Sequence, residues 1–120
     1  MAAEGAYHQV MNPPELDEII RRIVEVAQPQ RIILFGSAAR GAMGPDSDID
    51  LLVVKEGPVH RRHLAQEIYM RLAGVGQPVD VVVAVPDDLE RYGRSPGLVY
   101  RWALEEGKEV YAAPSALRTG

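Results

Sequence analysis

Short apolar runs recur along this chain, and each of them is typical of a β-strand. Residues 31–35 form a continuous apolar run, as expected of a strand that is buried on both faces. A second run covers about residues 49–54, and a third covers residues 79–85 with a single acid, Asp80. Residues 110–111 favour a short edge strand. The pattern therefore predicts a small sheet of three to four strands.

Between these runs, apolar residues recur at helical spacing. A first amphipathic helix is predicted to begin with Asn12 as its cap and Glu15 three residues later, and to end before Pro29. Leucine or isoleucine at every fourth position predicts a second helix over about residues 59–73. Helices between strands indicate an α/β (α+β) domain, in which a small mixed sheet is flanked by helices.

A third long helix is predicted near the end of the chain. Ser95 and Pro96 are typical of a helix start, and Gly107 is typical of a C-cap. Trp102 shares its helical spacing with apolar neighbours, so we expect its side chain to lie in the core.

Composition fits one ordinary globular domain. With 120 residues, 47% of them hydrophobic, the chain is long enough for one modest core. We therefore expect a single domain over residues 1–120, with residues 1–11 and 113–120 as loose tails. Cysteine is absent, which excludes disulfides and cysteine metal sites.

Net charge and hydropathy indicate which classes of partner and which cellular location to expect. The net charge of −4 argues against a protein that mainly coats nucleic acid, so we expect no extended nucleic-acid binding. No apolar run approaches the length of a membrane span, and no signal-peptide pattern opens the sequence. The expected location is therefore the cytoplasm, with no membrane partner.

The candidate chemistry begins where the first strand ends. Gly36 and Ser37 follow the strand directly, and after ten further residues come Asp48 and Asp50. Glycine lets a phosphate approach the backbone, and a turn that leaves a strand can direct N–H groups at an anion. Residues two apart on a strand point to the same face, so the two aspartates project together.

Asp80 adds a third carboxylate from another predicted strand. A charged residue in such an apolar run needs a partner or a function. If its strand lies beside the strand of Asp50, three carboxylates converge, and paired carboxylates are stable in the ionised form near a cation. Mg²⁺ suits them, since it prefers carboxylate oxygens and substrate phosphates. Two such ions could activate a hydroxyl and stabilise a leaving pyrophosphate, so the pattern predicts nucleotidyl transfer from a nucleoside triphosphate.

Plainer interpretations stay open for these residues. Asp48 and Asp50 could be turn or strand-edge acids, Asp80 could be an exposed acid on an edge strand, and Arg40 could be a surface ion-pair partner. His60 and His63 share a helix face, which raises a zinc site as an alternative. No cysteine or third ligand lies nearby, so a solvated basic turn is the favoured interpretation.

The segment 34–54 resembles the minimal nucleotidyltransferases (the MNT group) of the DNA polymerase β superfamily. The resemblance covers about residues 14–112 and implies a polymerase β-like nucleotidyltransferase fold. It is carried by the following residues: Gly36, Ser37, Arg40, Gly41, Asp48, Asp50 and Asp80. One departure is Ala38, because relatives often have a basic residue at that position.

The resemblance implies roles for six of these residues. Gly36 and Ser37 hold the β- and γ-phosphates of the nucleotide, and Arg40 adds positive charge. The three acids, Asp48, Asp50 and Asp80, are catalytic and bind two Mg²⁺ ions, and Asp80 also helps to remove the proton of the acceptor hydroxyl.

Partners follow from the same resemblance. Small MNT proteins are often paired with a HEPN-domain protein in toxin–antitoxin modules, where the MNT member is the antitoxin and some members transfer AMP from ATP to the toxin. The short chain leaves little room for an acceptor site, so another chain or a homo-oligomer is expected to complete the cleft. Two alternatives remain: a non-catalytic antitoxin that acts by binding, and a nucleotidyltransferase for a small, aminoglycoside-like molecule.

Overall fold

The computed structural model of this chain describes residues 15–39, 48–92 and 99–114. The elements in chain order are α1 (Leu16–Ala27), β1 (Arg31–Phe35), α2 (Gly36–Ala39), β2 (Ile49–Val54), α3 (Arg61–Arg71), β3 (Val79–Ala84), α4 (Pro86–Tyr92), α5 (Val99–Glu106) and β4 (Lys108–Ala112). Among the described residues, no helix combines the length and the apolar character needed to cross a membrane. The predicted mixed α/β architecture is confirmed.

The four strands form one mixed sheet in the order β3-β2-β1-β4. β1 is antiparallel to β2 and to β4, whereas β2 and β3 are parallel. This register pairs Asp50 with Phe35 on one side and with Asp80 on the other. The predicted sheet of three to four strands therefore has four, and its first predicted strand is buried as expected.

Two layers of helix cover the two faces of the sheet. On one face, α1 and α3 pack against alternate strand residues in the larger apolar cluster, which includes Ile19, Ile23, Ile32, Leu34, Ile49, Leu51, Val53, Leu64, Ile68, Val81 and Val83. On the other face, α5 packs on a smaller cluster that consists of Ile33, Phe35, Leu52, Val54, Ala84 and Ala103, with partly buried Val82, Leu89 and Tyr100 beside it. We call the face covered by α1 and α3 the helix face of the sheet, and the face covered by α5 the site face.

The first helix ends as predicted but begins differently. α1 ends at Ala27, and the next residue, Gln28, adopts a left-handed φ of 46° while its N–H donates to the carbonyl oxygen of Val24. Glu15 occupies the N-cap position without a side-chain capping bond. The predicted cap, Asn12, lies outside the described residues, as do the N-terminal tail, most of the C-terminal tail and the Ser95–Pro96 helix start.

The second helix is shorter than the predicted range of 59–73. α3 begins at Arg61 because His60 is its N-cap, and the Nδ1 atom of His60 accepts the N–H of His63 at 3.2 Å. At the other end, the guanidinium of Arg22 in α1 donates to the carbonyl oxygens of Arg71 and Ala73, at 3.1 and 3.2 Å. These bonds satisfy acceptors at the end of α3 and join the two long helices.

The predicted burial of Trp102 is wrong. α5 buries Ala103 completely, whereas the Trp102 side chain is 61% exposed. Consecutive helix residues lie about 100° apart around the axis, so the burial of Ala103 against the sheet turns Trp102 away from it. Gly107 follows the last residue of α5 and donates its N–H to the carbonyl oxygen of Ala103 at 2.9 Å, as predicted for the helix end.

Candidate functional site

Two of the three predicted acids are adjacent in the sheet. Asp50 is the second residue of β2 and Asp80 is the second residue of β3, and the parallel register makes them direct partners. Partners in adjacent strands point to the same face, here the site face, since Leu52 and Val82 two residues on belong to its cluster. Asp50 is partly buried and Asp80 is exposed, so the pair lies where this face opens to solvent.

Gly36 borders the carboxylate of Asp50. A Cβ atom built on Gly36 would lie 2.2 Å from Oδ2 of Asp50, closer than any real contact, and Gly36 has a φ of 74°. β1 ends directly before Gly36, and its last residue, Phe35, pairs with Asp50 across the antiparallel ladder. The strand-to-helix turn therefore needs glycine for two reasons. The backbone has a positive φ, and the Asp50 carboxylate occupies the space that a Cβ atom would fill.

Two of the remaining predicted site residues adjoin Asp50 and Gly36 in the sequence. Asp48 is exposed and immediately precedes β2, and Ser37 is the second residue of α2. Arg40 lies outside the described residues. In residues 15–39, 48–92 and 99–114, no group of three or more acidic, histidine or cysteine side chains is arranged to hold a metal ion. Within the described part of the chain, the structure thus pairs Asp50 with Asp80 but does not bring a third carboxylate into a cluster with them.

An ion pair with a buried carboxylate connects α3 to α4, and the sequence analysis missed it. Arg61 of α3 donates to both carboxylate oxygens of Asp88 in α4, at 2.9 and 2.7 Å. Asp88 is only 8% exposed and also accepts the N–H of Val85 at 3.1 Å. Because Asp88 is the third residue of a helix that begins with Pro86, the position matches half of a capping box, and that spacing was the available signal.

Burial and hydrogen bonds act in opposite directions on Asp88. Burial alone would raise the pKa of the carboxyl, but the bonds from Val85 and Arg61 outweigh it, and the pKa lies below its usual value. The same pair raises the pKa of Arg61. This ion pair joins α3 to α4 and is charged at neutral pH.

His60 and His63 have structural roles in the described chain. The Nδ1 atom of His60 caps α3, and Nε2 of His63 lies 3.3 Å from a carboxylate oxygen of Glu67. Both histidines are exposed. Both side chains thus make local contacts on the exposed surface at the start of α3.

The site suits a divalent cation and a phosphate chain. Asp50 and Asp80 present only carboxylate oxygens, the ligands that Mg²⁺ prefers, and two neighbouring carboxylates favour a cation between them. The adjacent turn at Gly36 has no side chain to block a phosphate. Fold and site together define a small α/β protein with an acidic site on one face of its sheet.

Comparison with known families agrees with this description. The family model described as a nucleotidyltransferase domain matches residues 15–110, most of the chain, so the chain belongs to the nucleotidyltransferase domain family. A comparison with curated proteins finds no match.

Solved structures share the fold at low sequence identity. A Sulfolobus solfataricus protein, provisionally assigned as a nucleotidyltransferase, has a TM-score of 0.58 at 18% identity, covering 93% of this chain and 88% of its own. A toxin–antitoxin structure with AMP-PNP has a TM-score of 0.56 at 24% identity, covering 86% and 77%. A complex of the tri-AMPylated Shewanella oneidensis HEPN toxin with its MNT antitoxin has a TM-score of 0.52 at 19% identity, covering 88% and 76%. These neighbours agree with the predicted resemblance to the MNT group.

Proposed function

We propose that this chain transfers AMP from ATP to a hydroxyl group of a HEPN-domain protein partner. The observation that carries the proposal is the pairing of Asp50 with Asp80 in adjacent strands beside the turn at Gly36. In the reaction, the acceptor oxygen forms a bond to the α-phosphorus, the bond from this phosphorus to the bridging oxygen breaks, and pyrophosphate leaves.

The side chains divide this work. Asp48 and Asp50 would hold the cations that accompany the triphosphate. Asp80, the more exposed partner of the pair, would hold the cation nearer the acceptor and take the hydroxyl proton. Gly36 and Ser37 hold the β- and γ-phosphates through the turn, and Arg40 adds charge. Two Mg²⁺ ions, when bound, would supply Lewis-acid activation of the hydroxyl and charge neutralisation of the pyrophosphate.

A protein acceptor is supported by size and by the neighbours. The described residues form the sheet and the helices on its two faces. They do not include a further subdomain that could enclose an acceptor. Among the neighbours, one complex holds an AMPylated HEPN toxin with its MNT antitoxin, and another holds AMP-PNP. The same reasoning supports the role of antitoxin in such a pair, and a homo-oligomer is the other way in which the cleft could be completed.

Label transfer from α-³²P-ATP in the presence of Mg²⁺ tests the proposal. The purified chain is incubated with the protein encoded by the neighbouring gene, and Asp50→Asn is compared with Asp17→Asn, an exposed acid of α1. We expect the wild type and Asp17→Asn to label the partner, and Asp50→Asn to lose at least about a thousandfold in rate while it keeps its fold, because it removes a charge that acts on the transferred group.

The other outcomes separate the remaining alternatives. Normal labelling by Asp50→Asn would overturn the assigned site. Metal-dependent ATP binding without labelling of the partner would point to a small-molecule acceptor. If the chain neither binds ATP nor labels its partner, yet still suppresses toxicity, it is a non-catalytic antitoxin.

A further inference from the structure

β3 directs alternate backbone groups away from β2, close to Asp80. Among the described strands it lies at one edge of the sheet, next to β2. Ile49 donates its N–H to Pro78 at 3.0 Å and Lys55 donates to Ala84 at 2.8 Å, so even-numbered residues of β3 direct their backbone groups at β2. Val81, which follows Asp80, therefore directs its N–H and C=O outward.

The hydroxyl of Tyr69 in α3 meets both of these outward groups. Val81 donates its N–H to the Tyr69 oxygen at 2.8 Å, and the hydroxyl lies 3.5 Å from the Val81 carbonyl oxygen, to which it donates. α3 is itself held in the larger cluster by Leu64 and Ile68. The phenol thus joins the edge strand to a well-anchored helix, one residue away from Asp80.

The first two residues of β3, Val79 and Asp80, have little apolar burial. Val79 is only partly buried and Asp80 is exposed, whereas Val83 and Ala84 at the other end are buried. The turn that leads into the strand contains Gly74, which has a positive φ and nothing near its Cβ position. Strand ends with little apolar burial open most readily, so a bond at Val81 restrains the segment that carries Asp80.

We propose that Tyr69 is a positioning residue for Asp80. Its hydroxyl fixes the backbone at Val81, and this holds the Asp80 carboxylate beside Asp50. The effect on transfer rests on the proposed function, whereas the effects on the strand and on cation binding do not.

The test compares Tyr69→Phe with the wild type. Tyr92→Phe serves as the matched control, because Tyr92 in α4 is equally exposed, at 42% against 43% for Tyr69. Three quantities are measured: amide exchange at Val81 by NMR, affinity for Mn²⁺ from the broadening of the Asp80 resonances, and kcat and KM for ATP in label transfer.

In Tyr69→Phe we expect amide exchange at Val81 to accelerate about tenfold, and Mn²⁺ affinity and kcat to fall about three- to tenfold, because both hydrogen bonds of the Tyr69 hydroxyl to Val81 are lost. KM for ATP should stay within about twofold, since Gly36 and Asp50 are untouched. Tyr92→Phe should match the wild type in all three quantities.

Unchanged exchange and Mn²⁺ affinity in Tyr69→Phe would overturn the inference. A uniform acceleration of exchange over all strands would overturn it too, because that result shows a merely structural role. If the wild type transfers no label but Tyr69→Phe still loses Mn²⁺ affinity, the proposed function fails and the positioning role stands.

Discussion

The conformation and surroundings of Gly36 connect the backbone to the proposed chemistry. Any side chain at this position meets a positive φ of 74° and the carboxylate of Asp50. That carboxylate is the end of a short side chain, so it moves away more easily than backbone would. A substitution at Gly36 is therefore expected to displace Asp50 more than it disturbs the fold.

Comparison of Gly36→Ala with Gly74→Ala separates these two effects. Gly74 has a similar φ of 84°, but nothing lies within 4 Å of its Cβ position. Both variants should lose about 1–2 kcal/mol in the free energy of unfolding, the cost of a left-handed conformation for alanine. Mg²⁺-dependent ATP binding, measured by calorimetry, should fall at least about tenfold in Gly36→Ala alone. Equal binding by the two variants would contradict the assigned role of Gly36.

Sequence patterns were informative about individual residues where a strand fixes direction. The period of two places Asp50 on the face of Leu52, and the structure agrees. The pairing of Asp50 with Asp80 depends on strand order, which one sequence does not contain. Trp102 shows the limit for helices, because helical spacing defines a stripe but not which part of it another element covers. The contact of Tyr69 with Val81 was also beyond prediction, because the two residues lie 12 apart in the sequence and meet only when α3 packs beside β3.

Among elements, the joint between α3 and α4 depends on one buried acid. Asp88 satisfies the N–H of Val85 at the start of α4 and receives two bonds from Arg61 at the start of α3. Arg61 is about half exposed, with 49% of its side chain accessible, so solvent screens part of the attraction. The sequence predicted the helix that carries Arg61, but not this contact, because Arg61 and Asp88 lie 27 residues apart.

Asp88→Asn tests this joint through its dependence on pH. The folded-state pKa of Asp88 lies below the unfolded value of 3.8, so the charged form stabilises the fold above that pH. As pH falls through the folded pKa, the carboxylate takes up a proton and this stabilisation is lost. We expect Asp88→Asn to lose about 1–2 kcal/mol in the free energy of unfolding at pH 6, and less at pH 2.5.

Urea unfolding at the two pH values measures this difference. Asp87→Asn is the control, because Asp87 is its exposed neighbour and forms a surface ion pair with Arg91 at 3.0 Å. It should cost at most about 0.5 kcal/mol at either pH. A loss in Asp88→Asn that does not shrink at low pH would show that packing, rather than charge, joins α3 to α4.

Over the whole molecule, the helices on the two faces of the sheet bury unequal amounts of apolar side chain. The helix face buries four residues of α1, and Leu64 and Ile68 of α3 join the same cluster together with Leu72, which follows that helix. On the site face, α5 contributes buried Ala103, and α4 contributes partly buried Leu89. Since apolar burial supplies most of the stabilisation, the layer beside Asp50 and Asp80 is the weaker of the two.

Native-state hydrogen exchange should reveal this inequality. Amides of α4 and α5 are expected to exchange at least about tenfold faster than those of α1 and α3, because their layer can open while the sheet and the helix face remain folded. The amides of β1 and β2 serve as the reference, because both strands lie inside the sheet. Mg²⁺ with a non-hydrolysable ATP analogue should slow exchange in α4 and α5 more than in α1 and α3, since a ligand of the site face stabilises the state in which that layer is closed. Equal exchange in the two layers would mean that the chain unfolds as one unit. In that case α4 and α5 would not open separately from the sheet, and a partner could not act on the acidic site through such an opening.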